Sequence, residues 1–270
     1  VVGSYEDVQA IHEHSLVVRD DATLSNGGSM ILCAYDIETT GLDLREDRMI
    51  EVGLVLYSTG QKKILESTGF LVHSDGVLIT EEITGITGIT QVAVDRFGYD
   101  PADAIDDLRR YASDADAIIG HNVLRFDKPI TDAASKRLDK GSLDDKLWID
   151  TMTDIPGVMG EQLITMCAKH GWVNPNQHSA EDDAKDVLKL ISNYKIEDVV
   201  ERAKSPTVVM QSHQDRENNA DAKKFKFRWS PDWRIWWKLV KEMDLDGLAN
   251  QVPFEMSRVD KEIATMLRDS

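Results

Sequence analysis

MILCAYDIETTGLD (residues 30–43) sets an apolar run ahead of two acids, Asp36 and Glu38. A run of that kind reads as a buried central strand. Side chains alternate along a strand, so acids two residues apart point to one face of the sheet. Like charges held side by side at the end of an apolar strand are costly unless something positive offsets them. The stretch therefore predicts both a sheet and a place where a cation is wanted.

Working outward, RMIEVGLVLYS (48–58) and KKILESTGFLVHS (62–74) read as the next two strands, and the short links at 43–47 and 58–61 suit an antiparallel meander. Helices are expected at 101–113, opened by Pro101, and at 126–138, with Pro129 in the first turn. Two more are expected at 161–171, stopped by Gly171, and at 179–194, where Ser179 and Asp182 resemble a capping box. ADAIIGHN (115–122) and LWIDT (147–151) read as buried strands between them. Three strands followed by alternating helices and strands predict an α/β protein with a mixed sheet flanked by helices.

The stretch 205–222 is polar and aperiodic and reads as a linker. KKFKFRWSPDWRIWWKLV (223–240) then alternates on both sides of a Ser-Pro-Asp turn, which predicts a β-hairpin, with a helix near 260–269. The expected organisation is a main domain over 30–198, a linker over 199–222 and a basic, Trp-rich module over 223–270. Residues 1–29 end in SNGGSM and begin at Val1. They read either as an appended flexible segment, with Met30 the natural start, or as a genuine N-terminal extension.

Bulk properties narrow the function classes. The chain has 270 residues, 41% hydrophobic and 29% charged, an ordinary globular balance. No apolar run reaches the ~18–20 residues of a membrane helix, and no signal-peptide pattern is present. Cys33 and Cys167 lie in apolar segments and read as small buried hydrophobes, which fits a reducing, cytoplasmic compartment. A formal net charge of −17 argues against a protein that grips a long polyanion by charge alone. It leaves room for an enzyme whose carboxylates recruit metal cations to meet phosphate, and for a protein partner on the acidic surface. From Lys223 to Lys238 the balance reverses, with six Lys or Arg against Asp232 alone.

Two further stretches supply polar groups at helix starts beside strand ends, where sites gather in α/β folds. GHNVLRFD places Asp127 just after a buried strand, and HSAEDDAKD places His178 in a loop and Asp183 one turn into a helix. Asp36, Glu38, Asp127 and Asp183 together form a hard-oxygen set suited to Mg²⁺ or Mn²⁺. Two such ions can clamp the attacking and leaving oxygens of a phosphodiester displacement. A histidine titrates near neutrality, so His178 is the candidate general base.

DIETTGLD, GHNVLRFDKPI and HSAEDDAKD, in that order and with the His-x-Ala-x-x-Asp spacing intact, resemble the three motifs of the DEDDh (DnaQ-like) 3′→5′ exonucleases. The resemblance covers roughly Met30 to Tyr194. EEITGITGIT (81–90) and WIDT (148–151) resemble that family's intervening segments. It implies an RNase H-like fold, two divalent ions on Asp36, Glu38, Asp127 and Asp183, and His178 as base. It also implies that Thr39, Thr40 and Leu42 line a pocket for the terminal nucleotide, with Asn122 and Phe126 supporting the site or touching substrate. His121 matches with less certainty.

The expectation is a 3′→5′ exonuclease acting on single-stranded or frayed 3′ ends in a bacterial or phage-infected cell, on DNA first and RNA second. A protein of another class, which binds nucleic-acid ends or serves as a scaffold without catalysis, is the competing expectation. In the C-terminal module, strict alternation assigns Phe225, Phe227, Trp229, Trp233 and Trp237 to a small core. It leaves Trp236 on the basic face as a base-stacking contact.

Overall fold

The computed structural model describes residues 29–157, 160–174, 178–217 and 219–268, so most of the N-terminal segment lies outside the described residues. The chain divides into two compact units. The first comprises residues 1–152 and 160–196, and the second residues 153–159 and 197–270.

Unit 1 is the α/β body. Strands β1 (Ile31–Thr39), β2 (Met49–Ser58) and β3 (Lys63–Leu71) form the expected antiparallel meander. Strands β4 (Ala117–Gly120) and β5 (Leu147–Asp150) extend the sheet in parallel on the other side of β1, giving the order β3-β2-β1-β4-β5. The meander turns tightly because its links are short, whereas each parallel strand needs a helical crossover.

After β3 the chain forms two short helices, α1 (Glu81–Thr87) and α2 (Gln91–Phe97), each capped by the threonine before it. Helix α3 (Pro101–Asp114) starts on Pro101 with Asp100 as its cap, and α4 (Asp127–Arg137) follows β4. Helices α5 (Leu163–Lys169) and α6 (Ala180–Ile191) follow β5.

The period-2 pattern of β1 sorts its two faces. Cys33, Tyr35 and Ile37 join Ile105, Leu108 and Tyr111 of α3 and Ile130 of α4 in the main core. Asp36 and Glu38 point to the other face, against which α6 packs. No described helix is long and apolar enough to cross a membrane.

Unit 2 departs from the hairpin-plus-helix expectation. After α7 (Ile196–Lys204), residues 207–212, read from sequence as linker, form strand β6 (Thr207–Ser212). It sits inside a four-stranded antiparallel sheet with β7 (Arg228–Ser230), β8 (Ile235–Lys241) and β9 (Met256–Arg258), in the order β7-β8-β6-β9. The polar flanks masked the β-branched run Thr207-Val208-Val209, which is the signal a strand leaves. Residues 220–224 form helix α8 (Ala220–Lys224), so the strand starts only at Arg228. Helices α9 (Leu245–Ala249) and α10 (Lys261–Arg268) complete the unit, the latter as expected from sequence.

That architecture corrects Trp236. The sheet is covered on both faces. Val209 and Trp237 pack with Ala264 and Leu267 of α10. Met210, Phe227, Trp236 and Val240 form a second cluster with Trp229 beside it. Both alternation classes of β8 are therefore buried, and Trp236 is only 5% exposed. A two-strand hairpin has one wet face, but here Met210 of β6, Ala222 of α8, Leu245 and Leu248 of α9 and Phe254 pack on the face of Trp236. Lys241 and Asp154, both almost fully buried, pair at 2.6 Å and tie segment 153–159 into this unit.

Candidate active site

Cross-strand pairs share a face, so the β1–β2 register sets the floor of the site. Asp36 lies opposite Gly53 and Glu38 opposite Glu51. Strand β4 pairs with β1 only from Leu32 to Ala34. Beyond that point the backbone on β1's β4 side needs another acceptor. Asp127 supplies it: the Ile37 N–H donates to its Oδ1 at 3.0 Å, between Asp36 and Glu38 in sequence. Asp127 is 2% exposed, and the position follows from its place as the first residue of α4.

Two hydroxyls lock that helix to β1. The Thr131 hydroxyl donates to the Asp127 carbonyl at 2.7 Å, and Tyr35 Oη lies 2.5 Å from the same hydroxyl.

Glu38, His178 and Asp183 each bring one donor atom to within 4.8 Å of the others. The three-residue cluster does not extend to Asp36 or Asp127, which stand beside it and act on it through charge. Burial raises the Asp36 carboxyl well above its usual range, and the charges of Asp127, Asp183, Glu38 and Glu51 add to the rise. Burial, then Glu51 and Asp183, lift Glu38 to about 8. Burial also raises Asp127 well above its usual range, opposed by the Ile37 amide and helped by Asp150 and Glu38. Asp183 is raised by burial, with the backbone amide and charge of His178 pulling the other way.

Burial raises Glu51 as well, so five carboxylates that each favour protonation form a site of concentrated negative field. Oxygen donors with one imidazole fit a divalent cation, which removes that repulsion. His178 is exposed, with a left-handed backbone at φ 66, immediately before α6.

The other expected residues fall into two groups. Thr39 and Thr40 are both 6% exposed and build the turn after β1. Thr39 donates to the Gly41 carbonyl and Thr40 to Asp47 Oδ1. Arg48 holds the same loop by donating to the carbonyls of Arg45, Glu46 and Asp47. A Cβ on Gly41 would meet the Asp47 carboxylate at 2.5 Å, so a larger residue there must displace the side chain that holds the turn. The stitched loop presents Leu42 with 77% of its surface open, an apolar side chain held out from a rigid base. Asn122 is partly buried with φ 60, and Phe126 packs on the main core.

The expected capping box at Ser179 is absent: Ser179 makes no side-chain cap bond. Glu51 Oε2 accepts the Ala180 N–H at 3.1 Å instead. A carboxylate from the sheet has replaced the local cap.

Sequence reading also missed Asp150. It is 3% exposed and accepts from Asn122 N–H at 2.8 Å and Met152 N–H at 2.9 Å, which shapes the turn that delivers Asp127. Both omissions carried a signal: Glu51 interrupts MIEVGLVL and Asp150 ends LWID, each an acid in an apolar strand. His121 is a supporting group, its Nδ1 3.0 Å from the Thr151 hydroxyl and its pKa lowered by burial to about 4.

Comparison with known proteins agrees with the fold of unit 1. The chain is 28% identical over 192 residues to a PolC-type DNA polymerase III of Mycoplasma pneumoniae, a match covering 68% of this chain but 13% of that protein. It is 27% identical over 218 residues to the DNA polymerase III subunit epsilon of Treponema pallidum, covering 76% of this chain and 90% of that one.

Among solved structures, the nuclease domain of 3′hExo, a DEDDh family member bound to rAMP, superimposes with a TM-score of 0.51 at 19% identity. That match covers 60% of this chain and 90% of the other. Exonuclease I of E. coli in complex with a dT13 oligonucleotide gives 0.60 at 14% identity, covering 89% of this chain and 71% of the other. The second match is longer than unit 1 and so takes in part of unit 2. The model of the RNase T exonuclease family matches residues 33–191. The protein belongs to that family, the DnaQ-like 3′→5′ exonucleases on an RNase H-like fold.

Proposed function

We propose that the protein is a metal-dependent exonuclease that hydrolyses the last phosphodiester bond at the 3′ end of single-stranded or frayed nucleic acid and releases 5′-mononucleotides. The observation that carries the reading is the convergence of Glu38, His178 and Asp183 within 4.8 Å, on the sheet face that also bears Asp36. Asp36, Glu38, Asp127 and Asp183 would hold two Mg²⁺ or Mn²⁺ ions, which would supply positive charge to the oxygens of the displacement.

His178 takes the proton from the attacking water, and its exposure leaves a path for that proton to solvent. Water oxygen bonds to phosphorus, and the 3′-oxygen of the shortened strand leaves. Leu42 packs on the terminal base from its stitched loop, while Thr39 and Thr40 hold that loop. Asn122 and Phe126 support the site or touch the substrate.

DNA is the favoured substrate, since two relatives are DNA polymerase III proteins and E. coli exonuclease I was solved with dT13. RNA is the alternative, supported by the rAMP in 3′hExo. The same likeness to polymerase components supports a replicative polymerase as protein partner in a bacterial cytoplasm.

The test incubates matched DNA and RNA single strands with Mg²⁺, Mn²⁺ or EDTA, using wild type, Asp36→Ala and Leu42→Ala. Expected are hydrolysis of DNA only with metal, loss of about 10³-fold or more in Asp36→Ala, and a raised KM in Leu42→Ala. Hydrolysis in EDTA, or an undiminished Asp36→Ala, overturns the reading. Faster loss of RNA moves the substrate assignment to RNA.

A further inference from the structure

Helix α6 meets strands β2 and β3 through one glycine on each and a carboxylate on β2. Gly53 pairs with Asp36 on one side and with Gly69 on the other, so the three form a row across the sheet. A Cβ at Gly53 would lie 2.2 Å from the Ala180 carbonyl carbon, 2.3 Å from its oxygen and 2.4 Å from the Glu181 nitrogen. These are backbone atoms, so no rotamer change relieves the clash. At Gly69 a Cβ would meet Glu181 Cβ at 2.8 Å.

The first turn of α6 therefore rests on bare strand backbone. Two residues before Gly53, on the same face, Glu51 takes the Ala180 N–H. Ser67 donates to Glu181 Oε1 at 2.5 Å and fixes the turn from β3.

We propose that Glu51, Gly53 and Gly69 are positioning residues that set the height and heading of the first turn of α6, and with them the distance of Asp183 and His178 from Glu38. This rests on the exonuclease reading above, because the distance matters only if those groups work together. Glu51 grips the first amide of the helix, and Asp183 follows three residues later in the same turn. The glycines fix how closely that turn approaches the strand opposite Asp36. A methyl group at residue 53 must push the turn away from the sheet, and a misplacement of about 1 Å can cost about 100-fold in rate.

A rival role for Glu51 is that of a further metal ligand, since it faces Glu38 across the strand pair. Glutamine separates the two. It keeps an oxygen that accepts the Ala180 N–H, but it carries no charge.

The experiment measures Mn²⁺ affinity of the folded protein by calorimetry without substrate, hydrogen exchange at the Ala180 amide, and kcat and KM on single-stranded DNA. It uses wild type, Glu51→Ala, Glu51→Gln, Gly53→Ala and Gly69→Ala, with circular dichroism as the fold control. Glu51→Ala and Gly53→Ala are expected to lose roughly 10–100-fold in Mn²⁺ affinity and in kcat, with KM changed by less than about 3-fold. Glu51→Ala also speeds exchange at Ala180. Glu51→Gln recovers most of both losses, and Gly69→Ala costs less than Gly53→Ala.

A Glu51→Gln variant as defective as Glu51→Ala overturns the positioning role, as does an unchanged Mn²⁺ affinity in Gly53→Ala. If Glu51→Ala does not fold, the glycine pair decides: unchanged Mn²⁺ affinity and kcat in both Gly53→Ala and Gly69→Ala overturn the proposal. An inactive wild type that still binds Mn²⁺ in the expected order of variants rejects the exonuclease reading and leaves the positioning role standing.

Discussion

Burial and the charges of Glu51 and Asp183 raise Glu38 from 4.5 to about 8. Such a group binds its proton more tightly in the folded chain than in the unfolded one. Its stabilising contribution is present below the ordinary glutamate pKa and is lost as pH climbs through about 8. His121 acts oppositely: its pKa is lowered from 6.5 to about 4, so stability falls as pH drops through that window. Between pH 6.5 and 8 the carboxylates dominate. In EDTA the melting temperature should therefore fall from pH 6.5 to 8, and saturating Mn²⁺ should restore it. Asp183→Asn should melt higher than wild type in EDTA at pH 8, by about 2–4 °C per kcal/mol of repulsion removed, while losing activity. A flat or rising melting temperature for wild type over that range in EDTA would contradict this electrostatic account. Asp36 and Glu38 were legible in sequence because acids end an apolar strand. Glu51, Asp150 and Gly53 have the same kind of context, but their partners, the amides and backbone of distant turns, appear only when the chain folds.

At the scale of elements, the meander, the two parallel strands and helices α3, α4 and α6 follow from periodicity, with an Asp100 cap at α3 alone among the three helices. The elements that sequence misread share a cause. Segment 207–212 becomes a strand because β8 and β9 flank it, and α8 takes in Lys223 and Lys224, where the hairpin strand is expected to begin. Burial of Trp236 then follows from a sheet covered on both faces. Lys223, Lys224, Lys226, Arg228 and Arg234 remain exposed in this unit. Burial lowers the Lys238 pKa, and the neighbouring charge of Lys226 lowers it further, so like charges are held close here. Such clustering suits a phosphate backbone. Titrating a fluorescent single strand over a range of salt should show a weaker Lys223→Glu/Lys224→Glu double variant. The salt slope should fall by about 1.4, or about 0.7 for each lost phosphate contact. Trp236→Ala should instead destabilise unit 2 by about 3–5 kcal/mol. An unchanged salt slope in the double variant would remove this face from the substrate path.

For the whole molecule, a net charge of −17 and a nuclease fold are compatible because part of that negative charge gathers at Asp36, Glu38, Glu51, Asp127 and Asp183, a donor set suited to cations. The exposed cations of residues 223–234 belong to the other unit. The three motif stretches, each weak alone, lie far apart in the chain and converge only because β1 is central in the sheet, with β2 and β4 on either side. That convergence was inferable from sequence order. The full extent of the second unit was not, because part of it comes from between β5 and α5 and is held by the buried Lys241–Asp154 pair, which leaves no local pattern. The most direct measurement is a time course on a single-stranded DNA oligonucleotide labelled at its 5′ end, with Mg²⁺, for wild type and His178→Ala. The expected result is a ladder of labelled strands shortened one nucleotide at a time, unlabelled 5′-mononucleotides as the early product, and a rate at least about 100-fold lower in His178→Ala. Immediate release of the labelled terminal nucleotide, internal cuts, or no shortening by wild type would contradict a 3′→5′ exonuclease.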